Sequence, residues 1–212
     1  MYSNGFVIAI DGGCGTSKSR LSKGLSDLFQ VPFLDSGLLY RAFADFWRNE
    51  QFSSFLGKPI AFYKQYSRIE IKCRDDECFV YVNGTLFNPG KDKHDIDMLT
   101  SQIAEDIPVR LYLTEIIHNF VADSRFIVAG RDIGTFVFPK TRFKVFLTQS
   151  YSYNDIGVTK QKVIAERDHR DSNRSFSPMR QAQNQLLLDT SLNTFEENLL
   201  IIKNYIINEG WI

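Results

Sequence analysis

The chain has 212 residues, 43% of them hydrophobic and 24% charged, which suits one folded α/β domain with small inserts and a full core. Lys plus Arg and Asp plus Glu both number 25, so the formal net charge is zero and no global pull toward nucleic acid or an anionic membrane is expected. Met1 to Ile10 lacks a basic leader region, and its apolar run from Phe6 to Ile10 is too short to span a bilayer. Cys73 and Cys78 could face each other across a hairpin, while Cys14 has no obvious mate. The favoured reading is free thiols in a reducing compartment, hence the cytoplasm.

In chain order, Phe6-Val7-Ile8-Ala9-Ile10 is a short continuous apolar run, as expected of a parallel strand buried on both faces. After a Gly-rich turn, Leu21, Leu25, Leu28 and Phe29 predict a helix over 19–29. Val31 to Leu34 reads as a second strand, and Leu39, Ala42, Phe43 and Phe46 predict a helix over 38–48. The period then changes: Ile69, Ile71, Cys73, Phe79 and Tyr81 alternate with polar residues, and Asn83-Gly84 signals a tight turn. That pattern predicts a small antiparallel meander. Helices follow at about 96–105 and 108–122, with Pro108 where a first-turn proline is tolerated. Phe126–Ala129, Phe143–Leu147 and Leu186–Leu188 read as core strands and Phe195–Ile207 as the last helix. The polar stretch 151–180 is expected to form a mobile loop-and-helix flap. Strands alternating with helices imply a mostly parallel sheet, with ligands at the carboxyl ends of its strands. No repeat or linker is visible, so a single domain with inserts is expected.

Four segments carry candidate chemistry. Gly12-Gly13-Cys14-Gly15-Thr16-Ser17-Lys18-Ser19 lies between a strand and a helix, where backbone N–H groups can wrap a phosphate. The phosphate-loop pattern wants glycine before the lysine, and Ser17 stands there, so a plain Gly-rich turn is the rival reading. If the loop binds phosphate, Lys18 reaches the outer phosphates and Ser19 the magnesium. Asp35-Ser36-Gly37 through Tyr40-Arg41 is by itself a turn and helix cap. Gly130-Arg131-Asp132-Ile133-Gly134-Thr135 follows a strand and suits either a ligand or a structural ion pair. Glu166-Arg167-Asp168-His169-Arg170-Asp171-Ser172-Asn173-Arg174 is either a binding segment or a solvated charged helix.

Taken together, these segments resemble bacterial cytidylate kinases, phosphate-loop enzymes that phosphorylate nucleoside monophosphates. The resemblance also draws on Ser101-Gln102-Ile103-Ala104, Val109-Arg110 and the Asn83-Gly84 meander, and it covers nearly the whole chain. It implies a parallel core sheet flanked by helices (1–65, 91–150 and 181–212), an antiparallel insert at about 66–90 that binds the monophosphate, and a helical lid at about 151–180. It further implies that Ser36, Tyr40, Ser101, Arg110 and Asp132 line the substrate pocket. Arg110 and Asp132 would offer a donor and an acceptor to the cytosine edge. Arg41 and Arg131 would grip the monophosphate, Arg167 and Asp171 approach the ribose, and Arg174 the phosphates. Lys18, Arg131 and Arg174 would act on the transferring group, with ATP and Mg2+ required. The expected reaction is transfer of the γ-phosphoryl group to CMP or dCMP, by a cytoplasmic monomer without nucleic-acid or membrane partners. The alternative is a nucleotide-binding relative with weak or no turnover.

Three departures from the family bear on that choice. Ser17 replaces a glycine in a loop that needs permissive backbone angles. Ala129 stands where the family usually has an aspartate, so Asp11 or Asp35 would have to order magnesium waters. The stretch 148–165 is shorter than the family's and offers only Lys160 and Lys162 in place of an arginine-rich helix.

Overall fold

A computed structural model describes residues 6–48, 55–74, 77–88, 90, 93–122, 124–150 and 158–211. In chain order these form β1 (Val7–Gly12), α1 (Lys18–Phe29), β2 (Phe33–Asp35), α2 (Ser36–Arg48), α3 (Ile60–Tyr66), β3 (Ile69–Arg74), β4 (Glu77–Val82) and β5 (Thr85–Leu86). Then come α4 (Lys93–Ile103), α5 (Ile107–Val121), β6 (Phe126–Gly130), a π-helical turn (Ile133–Val137), β7 (Lys144–Thr148), α6 (Val158–Asn173), β8 (Leu186–Asp189) and α7 (Phe195–Asn208). The chain divides into two compact units, Met1–Leu34 with Asp123–Ile212, and Asp35–Ala122.

The first unit is built on a parallel sheet. β1 is its centre, paired in parallel with β6 on one side and β7 on the other, and β8 extends the sheet beyond β7. The backbone at Pro32 continues it past β6, where Ile127 N–H donates to the Pro32 carbonyl at 3.0 Å. All six residues of β1 are buried, which is why that strand reads as an unbroken apolar run. Ile8, Ile10, Leu21, Leu25, Ile127, Val145, Leu147 and Ile202 form its aliphatic core. Phe29 and Phe143 close the core edge-on against Trp211. At the start of α7, Thr194 and Glu197 cap each other reciprocally, satisfying two N–H groups that a helix start leaves unpaired.

The second unit packs helices α2 to α5 with an antiparallel hairpin, β3 against β4, extended by β5. Its core adds an aromatic cluster to buried aliphatic residues such as Leu39, Ile103, Leu113 and Ile117. Phe43 lies edge-on to Phe55 and Tyr63 at 5.9 and 5.6 Å, and Trp47 stacks on Phe55 at 4.7 Å. The Tyr63 hydroxyl donates to the Phe55 carbonyl at 3.0 Å and the Tyr112 hydroxyl to the Ser67 carbonyl, so both rings are buried with their polar ends satisfied.

Several local expectations shift. α2 begins at Ser36 rather than Leu38, because the Asp35 carboxylate accepts from Gly37 N–H at 2.9 Å and caps the turn two residues earlier. The second strand begins at Phe33 rather than Val31. Helix α3 was not expected; its seven residues follow Pro59, too few to show a period. Cys73 and Cys78, directly opposite in the hairpin, are joined by a disulfide, which corrects the free-thiol reading for this pair. Opposed residues of an antiparallel pair bring their β-carbons within bridging distance. Among the described residues, no helix is long and apolar enough to cross a membrane.

Candidate active site

In the first unit, β1 ends at Gly12, where φ is +149° and a β-carbon would run into the Leu147 carbonyl of the neighbouring strand. The chain then loops through Gly13–Ser17 into α1. The Thr16 hydroxyl donates to the Gly13 carbonyl at 2.9 Å and the Lys18 ammonium donates to the same oxygen at 2.5 Å, which closes the loop on itself. Ser17 sits at φ +58° and ψ +20°, the left-handed conformation that glycine adopts without strain and serine does not. Gly15, Thr16, Ser17, Lys18, Ser19 and Arg20 line an open cavity of about 290 Å³ at the start of α1. Backbone N–H groups at a helix start are a natural anion site.

Arg131 follows β6, and its guanidinium is used on every side. Nη1 donates to the Gly12 carbonyl at 2.8 Å and pairs with Asp168 at 3.0 Å, Nη2 lies 2.8 Å from Cys14 Sγ, and Nε pairs with Asp171 at 3.2 Å. Burial alone would lower the Arg131 pKa; the Cys14 sulfur, Asp171 and Asp168 together outweigh it and hold the pKa above its ordinary value. The Asp168 carboxylate also accepts from Cys14 N–H, at 2.9 and 3.0 Å from its two oxygens. Asp171 and Arg174 are both buried, with Arg174 Nε donating to the Asp171 carbonyl at 3.2 Å. The charged run is therefore only partly a solvated face: Asp168, Asp171 and, just past α6, Arg174 turn inward, while Glu166, His169 and Arg170 are exposed. Asp132 is buried and accepts from the Ser177 hydroxyl. Arg167 lies half-buried on α6, beside Asp168 in sequence.

Asp11 was named from sequence only as a stand-in for the missing strand-end carboxylate, and the structure gives it other work. Its two oxygens accept from Ile133 N–H and Gly134 N–H, both at 2.7 Å, anchoring the π-helical turn that follows Arg131-Asp132. Complete burial is the largest influence on it and pushes its pKa up to about 7, against the pull of those two N–H donors. Ala129 is buried in the aliphatic core, in register with Ile10. Among the described residues no group of three or more His, Cys, Asp or Glu side chains could hold a metal ion. The Ser19 hydroxyl, exposed at the start of α1, could serve as one magnesium ligand if phosphate and water supplied the rest.

In the second unit, α2 carries Ser36, Tyr40 and Arg41, α4 carries Ser101, and α5 carries Arg110. Arg110 is only 2% exposed; its Nη1 donates to the Ala104 carbonyl at 2.9 Å, and its guanidinium carbon lies 5.6 Å from the Tyr40 ring centroid. Arg41 pairs with Asp35 at 3.5 Å, so Asp35 too is engaged within the protein. Ser36 and Ser101 are buried, and the Ser101 hydroxyl has no hydrogen-bond partner among the described residues. A buried hydroxyl left so costs stability unless a ligand uses it.

The family model for cytidylate kinase matches residues 8–208. The chain belongs to the cytidylate kinase family. Similar proteins named cytidylate kinase include that of Thermotoga petrophila, 31% identical over 92% of this chain and 94% of its own length. That of Thermotoga maritima is 32% identical over the same shares. The Clostridium tetani protein is 29% identical over 90% of this chain and 89% of its own. A solved structure from Eubacterium ventriosum aligns only loosely, at TM-score 0.43 and 11% identity, covering 96% of this chain and 98% of that one. Asp168 was missed as a site residue by sequence reasoning, since nothing in its own segment sets it apart from its charged neighbours.

Proposed function

We propose that this chain transfers the γ-phosphoryl group of ATP to CMP or dCMP, giving CDP or dCDP. The observation that carries the reading is the family match over 8–208 on a chain whose strand-to-helix loop closes around Lys18 and presents its backbone to the start of α1. The Gly12–Ser19 loop would hold the ATP phosphates, Lys18 would neutralise the outer ones, and Ser19 would hold Mg2+, which supplies charge compensation to the phosphates when bound. In the second unit, Arg110 and Ser101 would donate to the cytosine, with Ser36 and Tyr40 beside them and Arg41 on the monophosphate. In the first, Asp132 would accept from the base, Arg167 and Asp171 would serve the ribose, and Arg131 and Arg174 the phosphates. No strong base is required, because a phosphate monoester is largely ionised near neutral pH and positioning supplies most of the rate. The insert at about 66–90 and the lid at about 151–180 would serve acceptor binding and closure; residues 151–157 of that lid, and the Lys160 side chain, lie outside those described. The balanced charge supports the absence of nucleic-acid or anionic-membrane partners; a monomer in the cytoplasm, active in pyrimidine metabolism, is proposed on the kinase reading alone.

A nucleotide-binding role with weak turnover is the second reading, favoured by Ser17 in its left-handed conformation. A coupled ADP-release assay with CMP, UMP, AMP and GMP separates the two. Turnover with CMP well above the others supports the kinase. Calorimetric binding of CMP and ATP without ADP release supports the weak relative.

A further inference from the structure

Asp168 makes contacts that a phosphate oxygen would be expected to make. Its two carboxylate oxygens lie 2.9 and 3.0 Å from Cys14 N, an N–H of the phosphate loop itself. One of them also accepts from Arg131 Nη1 at 3.0 Å. A backbone N–H in a Gly-rich loop and an arginine fork are the two donor types that recognise phosphate, and one carboxylate engages both.

The sequence makes room for it. A β-carbon on Gly13 would stand 2.5 Å from Asp168 Oδ2, and Gly13 does not have a positive φ, so this glycine is needed for the close approach rather than for its backbone angles. The carboxylate can also leave without unseating its helix. The Asp168 side chain is 27% exposed, and α6 is held one turn further on by the Asp171 pair with Arg131 at 3.2 Å and by Met179 N–H donating to the Asp171 carbonyl at 2.8 Å.

We propose that Asp168 is a built-in competitor for the phosphate loop, taking the Cys14 N–H and an Arg131 N–H in place of a nucleotide phosphate oxygen and thereby setting the affinity for the phosphoryl donor. The proposal rests on the reading of Gly12–Ser19 as phosphate-binding. A carboxylate left in place would repel a polyphosphate as well as hold its donors, so donor binding requires Asp168 to swing out. Ser17 and Asp168 then weaken the donor side in different ways, one through backbone strain and the other through occupation.

The test is calorimetric titration of ATP, and separately of inorganic pyrophosphate, into the full chain and its Asp168→Ala, Asp168→Asn and Gly13→Ala variants. Asp168→Ala removes the competing carboxylate and is expected to tighten both ligands about tenfold, the scale of a charge-assisted hydrogen bond no longer in competition. Gly13→Ala evicts the carboxylate but sets its β-carbon in the space the phosphate oxygen would take, so it is expected to bring no gain in affinity and serves as the control for the close approach. Asp168→Asn keeps the shape without the charge and falls between the parent and the alanine variant. Asp168→Asn also keeps the question answerable if Asp168→Ala folds poorly. Should ATP bind the parent and Asp168→Ala equally, or bind the variant more weakly, Asp168 is not a competitor and the proposal falls while the phosphate-loop reading stands. If none of the four proteins binds ATP or pyrophosphate, the phosphate-loop reading fails and the proposal goes with it.

Discussion

The loop of the first unit and the α2–α4–α5 cluster of the second hold their polar groups in opposite ways. Around the loop, Lys18 is bonded to Gly13, Arg131 to Gly12, Asp168 and Asp171, and Cys14 N–H to Asp168. In the cluster, the Ser101 hydroxyl is buried with no partner among the described residues, and Arg110 is clamped by the Ala104 carbonyl beside Tyr40. A ligand entering the first region would have to displace contacts the protein already makes. One entering the second would gain at least the Ser101 hydroxyl, although Arg41 and Arg110 there are already engaged with Asp35 and Ala104. On the proposed reading, donor affinity would be set by competition and acceptor affinity more by preorganisation.

The sharpest way to break the contrast is Lys18→Met. It removes the ammonium that would meet the transferring charge, so kcat/KM is expected to fall by about three decades, or about 4 kcal/mol. CMP binding measured by calorimetry without ATP should be unchanged. A Lys18→Met enzyme retaining a third of parental activity would take this lysine out of the chemistry.

The counterpart is Arg110→Met, which strips a buried donor from the second region. CMP affinity is expected to fall by about 2–3 kcal/mol, the scale of a hydrogen bond involving a charged group, while ATP affinity holds. Equal losses for both ligands would show that the two regions are not independent.

Asp11 tests the frame beneath the loop. Its carboxyl has a pKa of about 7 in the folded protein against 3.8 ordinarily, chiefly from burial, so folding takes up a proton between those values. Stability from this group is therefore fully present below about pH 4 and is lost as pH rises toward 7, with a slope of up to about 1.4 kcal/mol per pH unit. Denaturant melts of the parent and Asp11→Asn across that range should diverge in slope. Parallel curves would mean that the Ile133 and Gly134 N–H groups hold the carboxylate ionised throughout.

The smallest effect is expected from Ser17→Gly. Relief of a left-handed serine is worth about 1 kcal/mol, which should appear as roughly fivefold tighter ATP binding or faster turnover, with CMP binding untouched. ATP titration of the two proteins checks it, and identical curves would show that serine fits this loop without cost.

Much of this was legible in the chain alone, because the signals are local. Continuous apolar runs marked β1, β6 and β7, alternation marked the β3–β4 hairpin, and the missing glycine at Ser17 pointed to the residue now found at φ +58°. Each of those signals depends on neighbours a few positions away. Tertiary structure alone decided the rest. Asp168 reaches Cys14 across 154 positions, and Asp11 reaches Ile133 across 122. Neither pairing leaves a periodicity, since a carboxylate reads the same in sequence whether it faces water or another segment's N–H. Folding assigned Asp11 to the π-helical turn and Asp168 to the loop because buried backbone N–H groups require acceptors and these carboxylates were within reach.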